Sequence, residues 1–331
     1  MNTINNIKNS GYFKFQLGQL HLAVITDGVI EIENIQPMFA PNIEKEQLKN
    51  FLDKNRLLKD KLELAGNILL VMNGERNILI DTGSGVLLSP STGKLIENLK
   101  NLGITPQDIT DIIFTHAHPD HIGGVVDKDG KLVYENADYY ISETEYNFWM
   151  SDEPDFSKGT KNQFSDFEIQ FARDHFKPIG TKLNFYLDEA DIFGFLKLEH
   201  APGHTPGHTV ITISSEGEEL VHIADTFQHI MLIEHPEWGN QIDSDFELAV
   251  KTRKEVLEKL SSTKQLFLET ICLFPVWVLL KKMEKVTALF RKLFIRFRIK
   301  SSHRGGFFIF CKSVLFFPRN VLFIQPECFY L

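Results

Sequence analysis

Short apolar runs separated by turn residues open the chain. Phe13–Gly28 reads as two strands around a turn at Gly18-Gln19, and Leu64–Val71 and Asn77–Asp81 as two more joined at Asn73-Gly74, a hairpin signal. Glu44–Leu58 places Leu48, Phe51 and Leu52 on one helical face with Asn42 as a cap, and Lys94–Leu102 repeats the pattern with Leu95, Leu99 and Leu102. Thr105-Pro106-Gln107-Asp108 has the make-up of a helix start, with a cap residue, proline at the first position and an acid in the first turn. Within Asp111–Thr115, the run Ile112-Ile113-Phe114 has no polar alternation, which predicts a short buried strand.

The later half continues in the same manner. Leu196–His200, Thr209–Ser214 and Leu220–Ala224 predict three strands, the last two joined through a turn at Gly217. Phe246–Leu260 predicts an amphipathic helix capped by Asp243 or Ser244, with Phe246, Val250, Leu257 and Leu260 facing inward, and a strand is expected over Gln265–Glu269. Strands and helices are mixed without strict alternation, so two sheets with outer helices stand on equal terms with a single parallel sheet. No internal repeat is visible.

The densest chemistry lies directly after the Asp111–Thr115 strand, in Thr115-His116-Ala117-His118-Pro119-Asp120-His121-Ile122-Gly123-Gly124. In extended chain, residues two apart point to the same side, so His116 and His118 can grip one ion together. Pro119 bends the chain and turns Asp120 and His121 another way, toward a second ion. Imidazole and carboxylate donors suit zinc and similar divalent cations. Two more candidates follow later strands: His204 in Ala201-Pro202-Gly203-His204-Thr205-Pro206-Gly207-His208, where Gly203 permits close backbone approach, and Asp225 after Val221-His222-Ile223-Ala224. A carboxylate at such a strand end can bridge two ions through its two oxygens. His200, His222, His229 and His235 read as structural or pocket-lining, and Asp81 as a turn residue supporting the site.

With these loops in view, the chain resembles the metallo-β-lactamase superfamily. The HxHxDH loop, the Pro-Gly-His loop and the Ile-Ala-Asp-Thr strand end occur in that family's order, and Ile25-Thr26-Asp27-Gly28 and Leu79-Ile80-Asp81-Thr82-Gly83 resemble it as well. Within the family, the nearest resemblance is to the branch of quorum-quenching lactonases and methyl parathion-type hydrolases, over about Phe13 to Leu268. The resemblance implies a four-layer αββα sandwich with a dinuclear zinc site at one edge. His116, His118 and His204 would hold the first ion, Asp120 and His121 the second, and Asp225 both, with Asp120 also orienting the nucleophile and His208 supporting the ligands from behind. The implied activity is metal-activated water cleaving a small ester-like substrate: a lactone, ester, thioester or phosphotriester. Met38, Phe39, Phe148, Trp149 and Trp238 are expected to line the pocket.

The chain departs from the family near its end. The late histidine expected after the Gln265–Glu269 strand is missing, and the only later one, His303, sits in an unrelated Ser-Ser-His-Arg-Gly-Gly context. The composition changes at the same place. From Lys281 to Leu331 there are 11 Lys and Arg against two acids, a balance of +9, so residues 1–280 carry −18 of the total −9. Eleven of the 28 phenylalanines, and Cys311 and Cys328, follow Cys272. The expected division is therefore a family domain over 1–270 and an atypical basic, Phe-rich tail over 271–331, read either as a shifted reading frame or as a divergent extension.

The acidic body argues against non-specific nucleic-acid binding. A cysteine-free body fits a reducing cytoplasm. The N-terminus shows no apolar signal segment, and the apolar stretch Leu266–Leu280 is too short to span a bilayer. A small-molecule substrate and a homodimer are expected. A mononuclear iron sulfur dioxygenase on the same fold, or an inactive damaged family member, are the competing readings.

Overall fold

The computed structural model describes residues 11–268 apart from 56, 86–89, 160–163, 188 and 264–265, together with the backbone of five short strands beyond 268. The side chains of the tail expected over 271–331, and with them the question of its origin, lie outside the described residues.

Two mixed sheets pack face to face. The first contains β1 (Tyr12–Leu17), β2 (Leu20–Glu33), β3 (Lys61–Met72), β4 (Asn77–Ile80), β5 (Asp111–Ile113), β6 (Asp138–Ser142) and β7 (Leu183–Tyr186), neighbours in chain order. The second contains β8 (Glu189–Ile192), β9 (Leu196–His200), β10 (Thr209–Ser215), β11 (Glu218–His222) and β12 (Leu266–Leu268), again in order. β4, β5, β6 and β7 pair in parallel, as do β11 and β12; the hairpins pair antiparallel.

The strands are apolar on both faces because both faces are covered. In β3 and β4, Leu69, Val71, Ile78 and Ile80 point between the sheets and meet Leu198, Ile211, Ile213 and Leu220 of the second sheet. Their alternates Ile68, Leu70 and Leu79 point outward onto Leu95 and Leu99 of the helix Leu95–Leu102 and Phe171 and Phe176 of the helix Ser165–Phe176. On the far side, Val210 and Val221 pack with Leu48, Phe51 and Leu52 of the helix Lys45–Asn55 and Leu260 of the helix Phe246–Thr263. The period-two side-chain alternation of a strand thus builds three apolar layers and the αββα sandwich.

Local expectations from the sequence mostly hold, with informative exceptions. The Asn73-Gly74 hairpin forms, its Asn73 side chain accepting from the Glu75 and Arg76 N–H groups at 3.0 and 2.8 Å. The helix start at Thr105 is present with its reciprocal capping box, but helix lasts only over Pro106–Asp108 before the chain enters β5. The long helix Phe246–Thr263 is capped by Asp245, whose Oδ1 accepts from the Leu248 N–H at 3.0 Å. Its fully buried face is Ala249, Thr252, Arg253 and Leu260, not the Phe246, Val250, Leu257, Leu260 stripe. The stripe is displaced because Thr252 and Arg253 hydrogen-bond to the backbone carbonyls of Pro202 and Thr226. β6 and the helices Glu143–Met150 and Ser165–Phe176 had no counterpart in the pattern reading.

Candidate metal centre

Four connections meet at one end of the sandwich: Asp81–Ser84 after β4, Thr115–Gly124 after β5, Ala201–His208 between β9 and β10, and Ile223–Thr226 after β11. The first two brace each other. Thr82 donates its N–H and hydroxyl to the His121 carbonyl at 2.7 and 2.9 Å, and the Gly124 N–H donates to the Gly83 carbonyl at 3.1 Å. A Cβ on Gly124 would lie 2.1 Å from the Thr82 oxygen, which is why glycine follows the histidine cluster. The early Thr26-Asp27-Gly28 motif serves this same turn. A bulge in β2 at this point turns the Asp27 carboxylate to accept N–H groups from Ser84, Gly93 and Leu95 at 2.8, 3.2 and 3.1 Å.

The connections bring all six expected ligands together. His116 Nε2 lies 3.1 Å from His118 Nδ1, which lies 2.9 Å from His204 Nε2. A tetrahedral ion with ~2.05 Å bonds needs neighbouring donor nitrogens about 3.3 Å apart, so these three rings are close to that spacing. Beside them, His121 Nε2 is 3.3 Å from Asp225 Oδ1 and 3.6 Å from Asp120 Oδ2, while Asp225 Oδ2 is 3.6 Å from His204 Nε2. One oxygen of Asp225 therefore faces each group. Asp225 Oδ1 is buried with no hydrogen-bond partner, and the ring nitrogens of His116, His118 and His204 converge so that their lone pairs face one point. Buried groups of this kind are normally satisfied, and a cation would satisfy all of them. The donor set is one that could hold a divalent metal.

The electrostatics agree. Burial holds His116 and His204 well below the usual imidazole range and brings His118 to about 4, so their lone pairs are free. Burial opposes charge on His121 too, but the carboxylates of Asp225, Asp120 and Asp81 outweigh it and raise its pKa. Burial raises Asp120, partly offset by His121.

Two of the candidate ligands, His121 and His204, are held from behind by carboxylates. Asp81, fully buried with φ +66°, accepts from the Thr115 N–H and hydroxyl at 2.8 Å each and pairs with His121 Nδ1 at 2.8 Å. Asp243 Oδ1 meets His204 Nδ1 at 3.1 Å and is itself held by Arg253 at 2.6 Å. Carboxylates in these positions fix the tautomer that presents the other ring nitrogen to a metal. His208 is no ligand: its Nδ1 donates to the Ala201 carbonyl and its Nε2 accepts the Asp225 N–H at 3.0 Å. Gly203, at φ +124°, has Ala249 N only 2.2 Å from where a Cβ would stand, so the long helix seats directly on the His204 loop.

Sequence reasoning missed Asp243 as a site residue, reading it as a cap, and gave Arg253 and Glu145 no role; their polar neighbours Ser244, Lys254 and Thr144 carry no signal of burial. The pocket expectation is corrected. Phe39 and Trp238 are core residues beneath the helix Lys45–Asn55, and Met38 and Phe148 are partly buried against the cores. Trp149 is fully buried, edge-on to His118 at 5.6 Å between ring centroids. The shallow concavity beside the site is lined instead by Ile30, Leu64, Ala65, Gly66, Asn67 and Ile68 and opens on Asp120 and His121. Of the lone histidines, His222 is fully buried in the core and His235 stacks on Trp238 at 4.0 Å, as structural residues would. Among the described residues no helix is long and apolar enough to cross a membrane.

Comparison with known proteins gives the same picture. The solved structure of AidC, a dizinc quorum-quenching lactonase in complex with its product, is 39% identical, with a TM-score of 0.78 over 84% of this chain and 95% of that one. A hydrolase of the beta-lactamase superfamily, AbOPH, is 27% identical with a TM-score of 0.75 over 83% and 94%. Among curated proteins, an N-acyl homoserine lactonase from a Bacillus species is 28% identical over 37% of this chain and 40% of its own length, and the lactonase AttM of Rhizobium radiobacter 28% identical over 36% and 41%. The chain thus spans about two fifths of the length of these curated relatives. The family model for the metallo-beta-lactamase superfamily matches residues 62–263, more than half of the sequence and all six clustered side chains, so the chain belongs to the metallo-beta-lactamase superfamily.

Proposed function

We propose that this protein is a metal-dependent hydrolase that opens a small ester-like substrate, a lactone in the first instance, with zinc as its metal. The observation that carries the reading is the pair of oxygens on Asp225, each turned toward a different group of imidazoles. His116, His118 and His204 would hold one ion, Asp120 and His121 the other, and Asp225 both. The dizinc lactonase at 39% identity supports both the metal and the substrate class.

When bound, two divalent ions supply a water of lowered pKa and Lewis acidity for a developing oxyanion. The chain's residues do the rest. Asp120, with its side chain 27% exposed, is the carboxylate that solvent reaches, so its free oxygen accepts a hydrogen bond from the nucleophilic water and orients it. The concavity along β2 and β3 would set the acyl or alkyl part of the substrate against Ile30 and Leu64. The buried helix and turn contacts hold the imidazoles in place without a substrate.

The setting we propose is a cytoplasmic homodimer acting on a small molecule; the cysteine-free body supports a reducing compartment. No observation favours the iron dioxygenase alternative. Metal content of the purified full chain, measured alongside a panel of lactone, thioester and phosphotriester substrates, tests the proposal. Close to two zinc ions per chain with chelator-sensitive hydrolysis is the expected result. One iron with oxygen uptake, or hydrolysis indifferent to chelation, would overturn it.

A further inference from the structure

Glu145 lies in the helix Glu143–Met150, three residues past its Ser142 cap, and is 0% exposed. From the sequence, Ser142-Glu143-Thr144-Glu145 has the form of a capping box, in which the glutamate would turn back to the cap backbone. It does not. Its Oε1 accepts the Ala117 N–H at 2.9 Å and the Trp149 Nε1–H at 2.7 Å, and its Oε2 accepts the Thr205 hydroxyl at 2.7 Å and the Gly207 N–H at 2.8 Å. Ala117 is the residue between His116 and His118. Thr205 follows His204, and Gly207 precedes His208, which accepts the Asp225 N–H.

We propose that Glu145 is a positioning residue that sets the separation of the three imidazoles His116, His118 and His204, and through it the affinity of the first metal site. The inference rests on the metal-centre reading above and deepens it. Three lines of contact run from one carboxylate: to the backbone of the His116–His118 loop, to the backbone of the His204 loop, and through Trp149 to the edge of the His118 ring. His118 and His204 are 86 residues apart in the chain, yet their nitrogens stand 2.9 Å apart. The glycine at 207 belongs to the same device, since a Cβ there would lie 2.3 Å from the Glu145 backbone nitrogen.

The device requires a carboxylate. Two backbone N–H groups and an indole N–H can only donate, so both oxygens must accept. A glutamine in the same place would turn its NH₂ onto one pair of donors, freeing one loop while holding the other. Burial raises the Glu145 pKa, and its four donors oppose that, favouring the ionised form the geometry needs.

The test uses the full chain, with Glu145→Gln as the variant. Cobalt(II) titration followed by absorption reads the first and second equivalents separately, and competition with a chromophoric chelator gives zinc affinities. For a group orienting metal ligands, the expected loss is ~10–100-fold in the affinity of the first site, with a changed cobalt spectrum for that equivalent and the second equivalent unmoved. A lower Tm with both affinities and the spectrum intact would make Glu145 a strut for the fold only and overturn the proposal. Should Glu145→Gln fail to fold, Thr205→Val removes a single donor and keeps the shape; an unchanged first-site affinity there overturns the proposal equally. Wild-type protein that takes up no divalent ion sinks the metal-centre reading, and this inference with it, by a result unlike either of those.

Discussion

Arg253 is the residue whose removal should be felt furthest. It is 1% exposed on the inner face of the helix Phe246–Thr263, donates to Asp243 Oδ2 at 2.6 Å and to the Thr226 carbonyl at 3.0 Å, and so fixes the carboxylate behind His204 and the turn that carries Asp225. Asp243 is equally buried, and even beside this guanidinium burial pushes its pKa to about 6. In Arg253→Met the aliphatic volume is kept and the charge removed. Asp243 is then a buried carboxylate without a counter-charge, a change that costs ~3–5 kcal/mol when one partner of a buried pair is lost. For a domain of this size each kcal/mol moves the Tm by ~2–4 °C, so a fall on the order of 10 °C is expected. The pKa of Asp243 should rise past neutrality, so that it takes up a proton at pH 7 and holds His204 less firmly, with metal affinity falling ~10–100-fold. Differential scanning fluorimetry and chelator competition on Arg253→Met, Asp243→Asn and the double variant complete the cycle. Residues in such direct contact should show a coupling of ~0.5–3 kcal/mol, the double variant being milder than the sum of the singles. Additive single effects, or an Arg253→Met Tm within a degree of wild type, would refute the reasoning.

Three further outcomes follow from the same geometry. Asp81→Asn keeps the shape behind His121 but removes the charge that pairs with its Nδ1, so second-site affinity should fall ~10–100-fold while the first site is spared; metal titration decides it, and equal losses at both sites would count against it. Gly203→Ala forces a Cβ onto the Ala249 backbone at a φ of +124°, which should cost more than ~2 kcal/mol by urea denaturation; a neutral effect would mean the helix and the His204 loop are not seated as described. His222 is fully buried and its pKa is pushed by burial from 6.5 to about 4. The unfolded chain therefore binds a proton that the folded chain refuses between about pH 6.5 and 4, and stability falls as pH drops through that window; Tm of metal-free His222→Phe should lose part of this slope, and an identical slope would assign it elsewhere.

The residues that sequence reading found are those whose partners are near in the chain. His116, His118, Asp120 and His121 fall within six positions, so spacing alone suggests a shared ion. His204 and Asp225 were readable because each follows a predicted strand and, beside the first cluster, offers a further metal donor. Asp243, Arg253 and Glu145 were not readable, because what defines them is a partner far off in sequence: Glu145 answers to Ala117 and Gly207, 28 and 62 residues away. Their local contexts even pointed elsewhere, Asp243 imitating a helix cap and Ser142-x-x-Glu145 a capping box. The fold shows the same division. Hairpins and amphipathic helices carry their own signals, whereas the inner face of Phe246–Thr263 is set by carbonyls it meets only after folding. The large aromatics misled in the opposite sense: size and hydrophobicity mark burial, and Trp149 and Trp238 are buried in packing, while the groove beside Asp120 is lined by modest strand residues.

The six clustered side chains hang from both sheets and from turns that only the finished sandwich brings together. An unfolded chain offers no such nest, so cations select the assembled form and shift the folding equilibrium toward it, by ~2.7 kcal/mol when free metal stands at a hundred times its dissociation constant. On the proposed reading, a protease would then cut the metal-stripped chain sooner than the same chain supplied with zinc.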